Sequence, residues 1–362
     1  MLNDWTRRRF LQNTALGGAA AGLGAAAPGL SALAADKLLV VIWGAKWIEV
    51  SKEIEKEYIK TNPVQIAWEL HQGGSAAVVG KIKASWPNTK YNVVTVWTPV
   101  FLSMIAEDWL MPITAENVPN SKDIPDKFFE KNAKGEKMTV PLSTCGAFWG
   151  YRTDMVDKPI ESIEQLLEPR FKGKICVPYP VNLTGLLLVS LAVQRGGTEH
   201  NAEAGWEFVK ELARRGNIGR IITNNSEFIN AMASGEHSVA FWNNGGWSAT
   251  MEKVPCKILS RVKGNKGFLY HEGMTVLKNS PPAAFKLVNH FLSPEINQQY
   301  NWPLGSGPTN PKSKVNPATK DMSYETGELA EHAYFADFPY LMKNMDAWNT
   351  RWEKEVVPLI RG

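Results

Sequence analysis

Cysteine is scarce in this chain. Three residues, Cys145, Cys176 and Cys256, cannot build a disulfide framework, and their spacing matches no metal site. Cys176 and Cys256 fall in the same later part of the chain, so one bridge between them after export stays open. Cys145 reads as a small buried apolar residue. The six histidines, His71, His200, His237, His271, His290 and His332, stand far apart and read as surface or structurally satisfied groups. No Gly-x-Ser-x-Gly elbow, His-Glu-x-x-His pair, phosphate-binding loop or Cys-x-x-Cys occurs, so the usual hydrolase, metalloprotease, NTPase and thiol-redox signatures are missing. No cofactor is expected. Basic residues form no run beyond Arg7–Arg9, and the formal net charge is only +4, which argues against nucleic acid as a partner. Beyond residue 34 no stretch reaches the roughly 18 apolar residues that a spanning helix needs.

What is present is an ordinary globular composition, 44% hydrophobic and 21% charged, over 362 residues. That length suits about two domains. Fourteen tryptophans are many, and rings beyond the needs of a core suit a site that grips a ligand by stacking.

The first 34 residues read as an address label. Thr6-Arg7-Arg8-Arg9-Phe10-Leu11-Gln12 resembles the twin-arginine export motif. A weakly apolar Ala/Gly/Leu stretch follows, and Ala32-Leu33-Ala34 is a small-x-small cleavage site. The expectation is a periplasmic protein whose signal peptide is cut near Ala34 after contact with the export machinery.

From Lys37 onward, strands and helices alternate. Residues 37–43 are a continuous apolar run fit for a buried parallel strand. Trp47, Val50, Ile54 and Tyr58 then recur at helical steps, which puts Trp47 in the core. Val64, Ile66, Trp68 and Leu70 alternate as a strand, a helix opens at Gly73-Gly74-Ser75, and 92–97 (NVVTVW) is a third strand before a helix over 100–108. The pattern restarts with a strand at 174–178 and helices over 184–194, 202–215 and 226–234. Strands follow at 238–242, 257–262 and 273–277, then a helix over 283–292 and a helical tail from about Thr326. Asn243-Asn244-Gly245-Gly246 reads as a turn. The extended segment 138–151 and a second one near Gly267–Gly273 cross between two lobes. The expected fold is α/β, with ligand beyond the carboxyl ends of the strands.

The order of these pieces resembles the periplasmic solute-binding proteins of ABC importers, in the branch of the spermidine/putrescine, iron(III) and thiamine binders. The segments that carry it are Trp43-Gly44-Ala45-Lys46-Trp47, 92–98, Val140-Pro141 through Gly150-Tyr151, and Phe171-Lys172-Gly173-Lys174-Ile175. Further along come 231–235 before Val239-Ala240-Phe241-Trp242, and 305–310. The resemblance implies a two-lobed type II periplasmic binding protein, with the ligand cleft between lobes joined by two crossovers. Lobe 1 would hold 35–145 plus about 270–315. Lobe 2 would hold 146–269 plus part of the tail 316–362. It further implies a monomer that binds a small solute, serves ABC permease subunits at the inner membrane, and is not an enzyme.

Carried over residue by residue, the family's cleft falls on Trp43, Trp97, Thr98, Asn182, Thr184, Trp242, Tyr270 and Glu272. Its acidic pair after the first strand of lobe 2 has no match, because 179–184 (YPVNLT) holds no carboxylate. One carboxylate among rings fits an amine or polyamine-like monocation, since ring faces attract a cation. A tyrosine cluster suited to iron is lacking. Arg152, Arg220 and the helix starts at Gly74-Ser75 and Thr184-Gly185 keep a small carboxylate or phosphonate as the alternative. An exported enzyme is the alternative of another class.

Overall fold

The computed structural model describes residues 36–44, 46–71, 74–262 and 264–361. The proposed signal and its cleavage site lie outside them. The opening apolar run forms β1 (Asp36–Ile42), buried over its last three residues. Helix α1 (Lys46–Thr61) leads to β2 (Val64–Leu70), and α2 (Gly74–Ser85) leads to β3 (Val93–Trp97). Both strands lie parallel to β1, which is why each connection needs a helix. Helix α3 (Thr98–Ala106) starts directly off β3, with Pro99 in its first turn where a missing N–H costs nothing.

After an irregular stretch the chain enters β4 (Val140–Arg152), thirteen residues buried throughout. Then come β5 (Ile175–Pro178), α4 (Leu186–Gln194), α5 (Glu203–Arg214), β6 (Ile218–Ile222), α6 (Asn225–Ala233), β7 (Val239–Asn243), α7 (Asn244–Met251) and β8 (Cys256–Ile258). β9 (Gly267–Val276) precedes α8 (Pro282–Phe291), α9 (Pro294–Asn301) and a long C-terminal helix, Phe338–Glu355.

β4 and β9 are the two crossings. They run antiparallel, with Cys145 opposite Tyr270 and Ala147 opposite Phe268. The later half of β9 pairs with β3, and the later half of β4 pairs with β7. The strand order is therefore β2-β1-β3-β9-β4-β7-β5-β6, two parallel sets flanking an antiparallel pair. This is the two-lobed type II arrangement. The main core includes α4, buried from Leu186 to Ala192. The C-terminal helix packs there too: Trp348 meets Trp206 edge-on at 5.9 Å and Arg351 pairs with Glu203 at 2.7 Å. Its first residue, Phe338, reaches Trp97 at 6.2 Å between ring centres.

Four readings change. Residues 243–246 are not a free turn. Asn243 accepts the Gly246 N–H at 2.8 Å and opens α7, because Asn and Gly mark helix starts as readily as turns. The strand expected over 257–262 shrinks to Cys256–Ile258, and Ile218–Ile222 is an additional strand. Cys176 and Cys256 are free thiols.

Candidate functional site

A cavity of about 660 Å³ opens where the strand ends of the two halves face each other. One wall is Trp43, Gly44, Trp47, Trp97 and Val100. The other is Asn182, Leu183, Asn225, Asn243 and Asn244. Cys145, Tyr270 and Glu272 come from the crossings.

Trp43 and Trp97 stand at strand ends, Trp47 at a helix start and Tyr270 within β9. Trp43 follows β1 and stacks on His71, which follows β2, at 3.9 Å between ring centres; His71 Nε2 lies 2.7 Å from the Thr95 carbonyl. Trp97 ends β3 and meets Tyr270 edge-on at 5.0 Å. Trp47 lines the cavity rather than belonging wholly to the core. Its position in the first turn of α1 gives it both a core side and a cleft side, which periodicity alone does not separate.

Glu272 is 3% exposed. Tyr300 donates to its Oε1 at 2.9 Å, and among the described residues no donor completes a hydrogen bond to Oε2. Burial pushes its carboxyl up to about 7; the hydroxyls of Tyr300 and of Ser143, opposite it in the β4–β9 register, pull the other way. Burial, reinforced by the Glu272 charge, also drives the Cys145 thiol and the Tyr270 hydroxyl well above their ordinary values.

The amide wall is largely committed to the protein. Asn244 accepts from the Gly146 N–H at 3.2 Å and donates to the Leu304 carbonyl at 3.0 Å and Ser306 Oγ at 2.9 Å. Asn225 Oδ1 accepts from Trp242 Nε1 at 2.8 Å and Asn243 Nδ2 at 3.0 Å. Asn182 donates to the Thr223 carbonyl at 2.9 Å, and its Oδ1 is buried without a partner among the described residues.

Five expected residues therefore line one cavity: Trp43, Trp97, Asn182, Tyr270 and Glu272. Three do not. Trp242 is 2% exposed and stacks on Phe228 at 5.6 Å. Side chains alternate along a strand, so when Asn243 faces the cavity Trp242 points to the other side of the sheet. Thr98 is buried and takes the His271 N–H at 3.0 Å, pinning β9 to the start of α3. Thr184 closes the turn Pro180–Leu183 in the left-handed region, φ 46°, and is buried. Asn225, Asn243 and Asn244 escaped the sequence reading because amides carry no periodic signal; the three-residue reach from Asn243 to Gly246, a helix cap, was the available clue.

The arginines of the anion alternative are engaged elsewhere. Arg152 pairs with Asp154 at 2.6 Å and donates to the Met232 carbonyl at 2.8 Å, and Arg220 pairs with Glu227 at 3.0 Å. Thr184 and Gly185 are absent from the cavity lining. Among the described residues no three His, Cys, Asp or Glu side chains gather as a metal site, and no helix is long and apolar enough to cross a membrane.

Residues 51–326 match the family model of bacterial extracellular solute-binding proteins. The chain belongs to this family. Solved structures of solute-binding proteins share its fold. One is the spermidine/putrescine ABC transporter substrate-binding protein PotD from Streptococcus pneumoniae, at a TM-score of 0.70 and 18% identity, covering 87% of this chain and 100% of that one. An ABC transporter protein from Clostridium perfringens gives 0.70 and 20%, over 88% and 99% of the two chains. The binding protein AgtB from A. tumefaciens, solved with agropinic acid, gives 0.66 and 17%, over 89% and 98%. No curated protein is a significant sequence match.

Proposed function

We propose that this solute-binding protein is the periplasmic receptor of an ABC importer and captures a small nitrogen-containing organic cation for its permease. The observation that carries the reading is the lining itself. Trp43, Trp47, Trp97 and Tyr270 share the lining with one carboxyl, Glu272, and no Lys, Arg or His is among the described lining residues. Ring faces attract a cation by their quadrupole, each good contact contributing roughly 0.5–2 kcal/mol. A carboxylate in a poorly solvated wall adds a Coulombic attraction that water does not screen away. Absence of a second carboxylate favours one cationic centre over the two ends of a diamine.

The second reading is a small carboxylate, which the agropinic acid complex of the A. tumefaciens relative brings into view. Here it would have to sit beside Glu272 without a basic partner, which charge opposes. Domain limits near 35–145 plus 270–315 and 146–269 plus the tail, a monomeric state and twin-arginine export belong to the same proposal. Arg7→Lys with Arg8→Lys should leave precursor in the cytoplasm; normal export of that variant would leave only a general secretory signal.

Native mass spectrometry of protein recovered from its own periplasm tests the central reading. A retained small molecule with a basic nitrogen is expected. A retained carboxylate or phosphonate without one would replace the cation by the anion.

A further inference from the structure

We propose that Trp47 is a closure-coupling residue, the moving half of a latch whose fixed half is the backbone of α7 at Gly245. The proposal rests on solute binding between two halves, and not on the charge of the solute.

Trp47 stands in the first turn of α1, after β1, in the half of the sheet built by β2, β1 and β3. Gly245 stands in the first turn of α7, after β7, in the half built by β7, β5 and β6. The two helix starts meet across the cavity. A Cβ on Gly245 would lie 2.4 Å from Trp47 Cη2 and 3.1 Å from Cζ3, so the indole rests where a side chain would be. Gly245 does not have the positive φ that would demand glycine, and glycine is among the poorest helix formers. Space for the ring accounts for it. The residue before Trp47 reinforces the contact: Lys46 pairs with Glu252 just past the end of α7. Both partners are partly exposed, so this pair adds little on its own and is weakened by salt.

The same indole lines the cavity. A solute packed against it presses on a ring that already touches the opposite half, which is what coupling between occupancy and closure requires. The ring's Nε1 is buried with no acceptor among the described residues. Leaving that donor unsatisfied penalises the latched form, whereas opening returns it to water. The latch alone is therefore weak, and it holds when a solute backs the ring.

Thiol cross-linking tests this without knowing the solute. Lys46→Cys with Glu252→Cys, in a Cys256→Ser background, is treated with a short bismaleimide, whose reach suits two long side chains that meet at their tips, and the cross-linked fraction is followed in time. The unaltered Trp47–Gly245 pair should cross-link readily. Adding Gly245→Ala should slow cross-linking at least about tenfold, because the methyl group displaces the ring. Trp47→Ala alone should slow it comparably, and the double variant should be no slower than either single, since the two substitutions then remove one contact. Thermal melting of each variant checks that the fold is intact. An unchanged rate with Gly245→Ala or with Trp47→Ala, or effects that multiply in the double variant, overturns the latch. A wrong assignment of the solute's charge would leave these rates unaltered and would show instead in mass spectrometry.

Discussion

One wall of the cavity is made of rings and the facing wall of amides, and the two are prepared differently. The rings come from the ends of β1 and β3, from within β9 and from the start of α1; Trp43 stacks on His71 and Trp97 meets Tyr270 edge-on. They offer surface and quadrupole but no fixed polar address. The amides of Asn225, Asn243 and Asn244 are held by hydrogen bonds to neighbouring protein groups, which shape the wall and leave little free capacity. Affinity is thus expected from the ring side and from Glu272, while the amide side supplies shape.

The largest expected effect sharpens that division at Glu272. Glu272→Gln should weaken a cationic solute by at least about 30-fold, in the range for removing one member of a buried charge pair. It should also stabilise the empty protein at high pH. With a folded pKa near 7 against an ordinary value of 4.5, Glu272 holds its proton in the folded state where the unfolded chain has lost it. The stability this contributes is full below about pH 4.5 and is lost as pH rises through 7, amounting to about 3 kcal/mol. Melting temperatures of wild type and Glu272→Gln should accordingly lie closest near pH 4 and separate by pH 8, with the variant higher. Parallel curves would place the buried charge elsewhere.

Next in size is Trp97→Ala, expected to cost about ten- to a hundredfold in affinity, because the ring faces the cavity and also braces Tyr270. Trp242→Phe should change affinity less than about threefold in calorimetry, since that ring lies behind the wall and only its bond to Asn225 is lost. A large loss there would mean that the amide wall contributes affinity as well as shape.

Much of the architecture was legible because burial on both faces leaves an uninterrupted apolar run, as in β1, and because α5 shows its apolar stripe at helical spacing. The ring wall was legible for a related reason: large rings at strand ends in an α/β sheet have one place to converge. Trp242 was misplaced by a single residue of register, since a strand-end position does not reveal which face the last ring takes. The amide wall was hidden because its members are recruited by a turn and two helix starts, where Asn serves backbone capping and cavity lining alike. The Trp47–Gly245 contact joins residues almost two hundred positions apart, and no local pattern encodes it.

The most direct test is the dissociation constant of the retained solute, measured by calorimetry from pH 6 to pH 8 in wild type and Glu272→Gln. Binding that needs the Glu272 carboxylate, in a free protein where it titrates near 7, should tighten by roughly tenfold across that interval in wild type and stay flat in the variant. A wild-type affinity indifferent to pH, or a variant that binds more tightly than wild type, would contradict a cation held against Glu272.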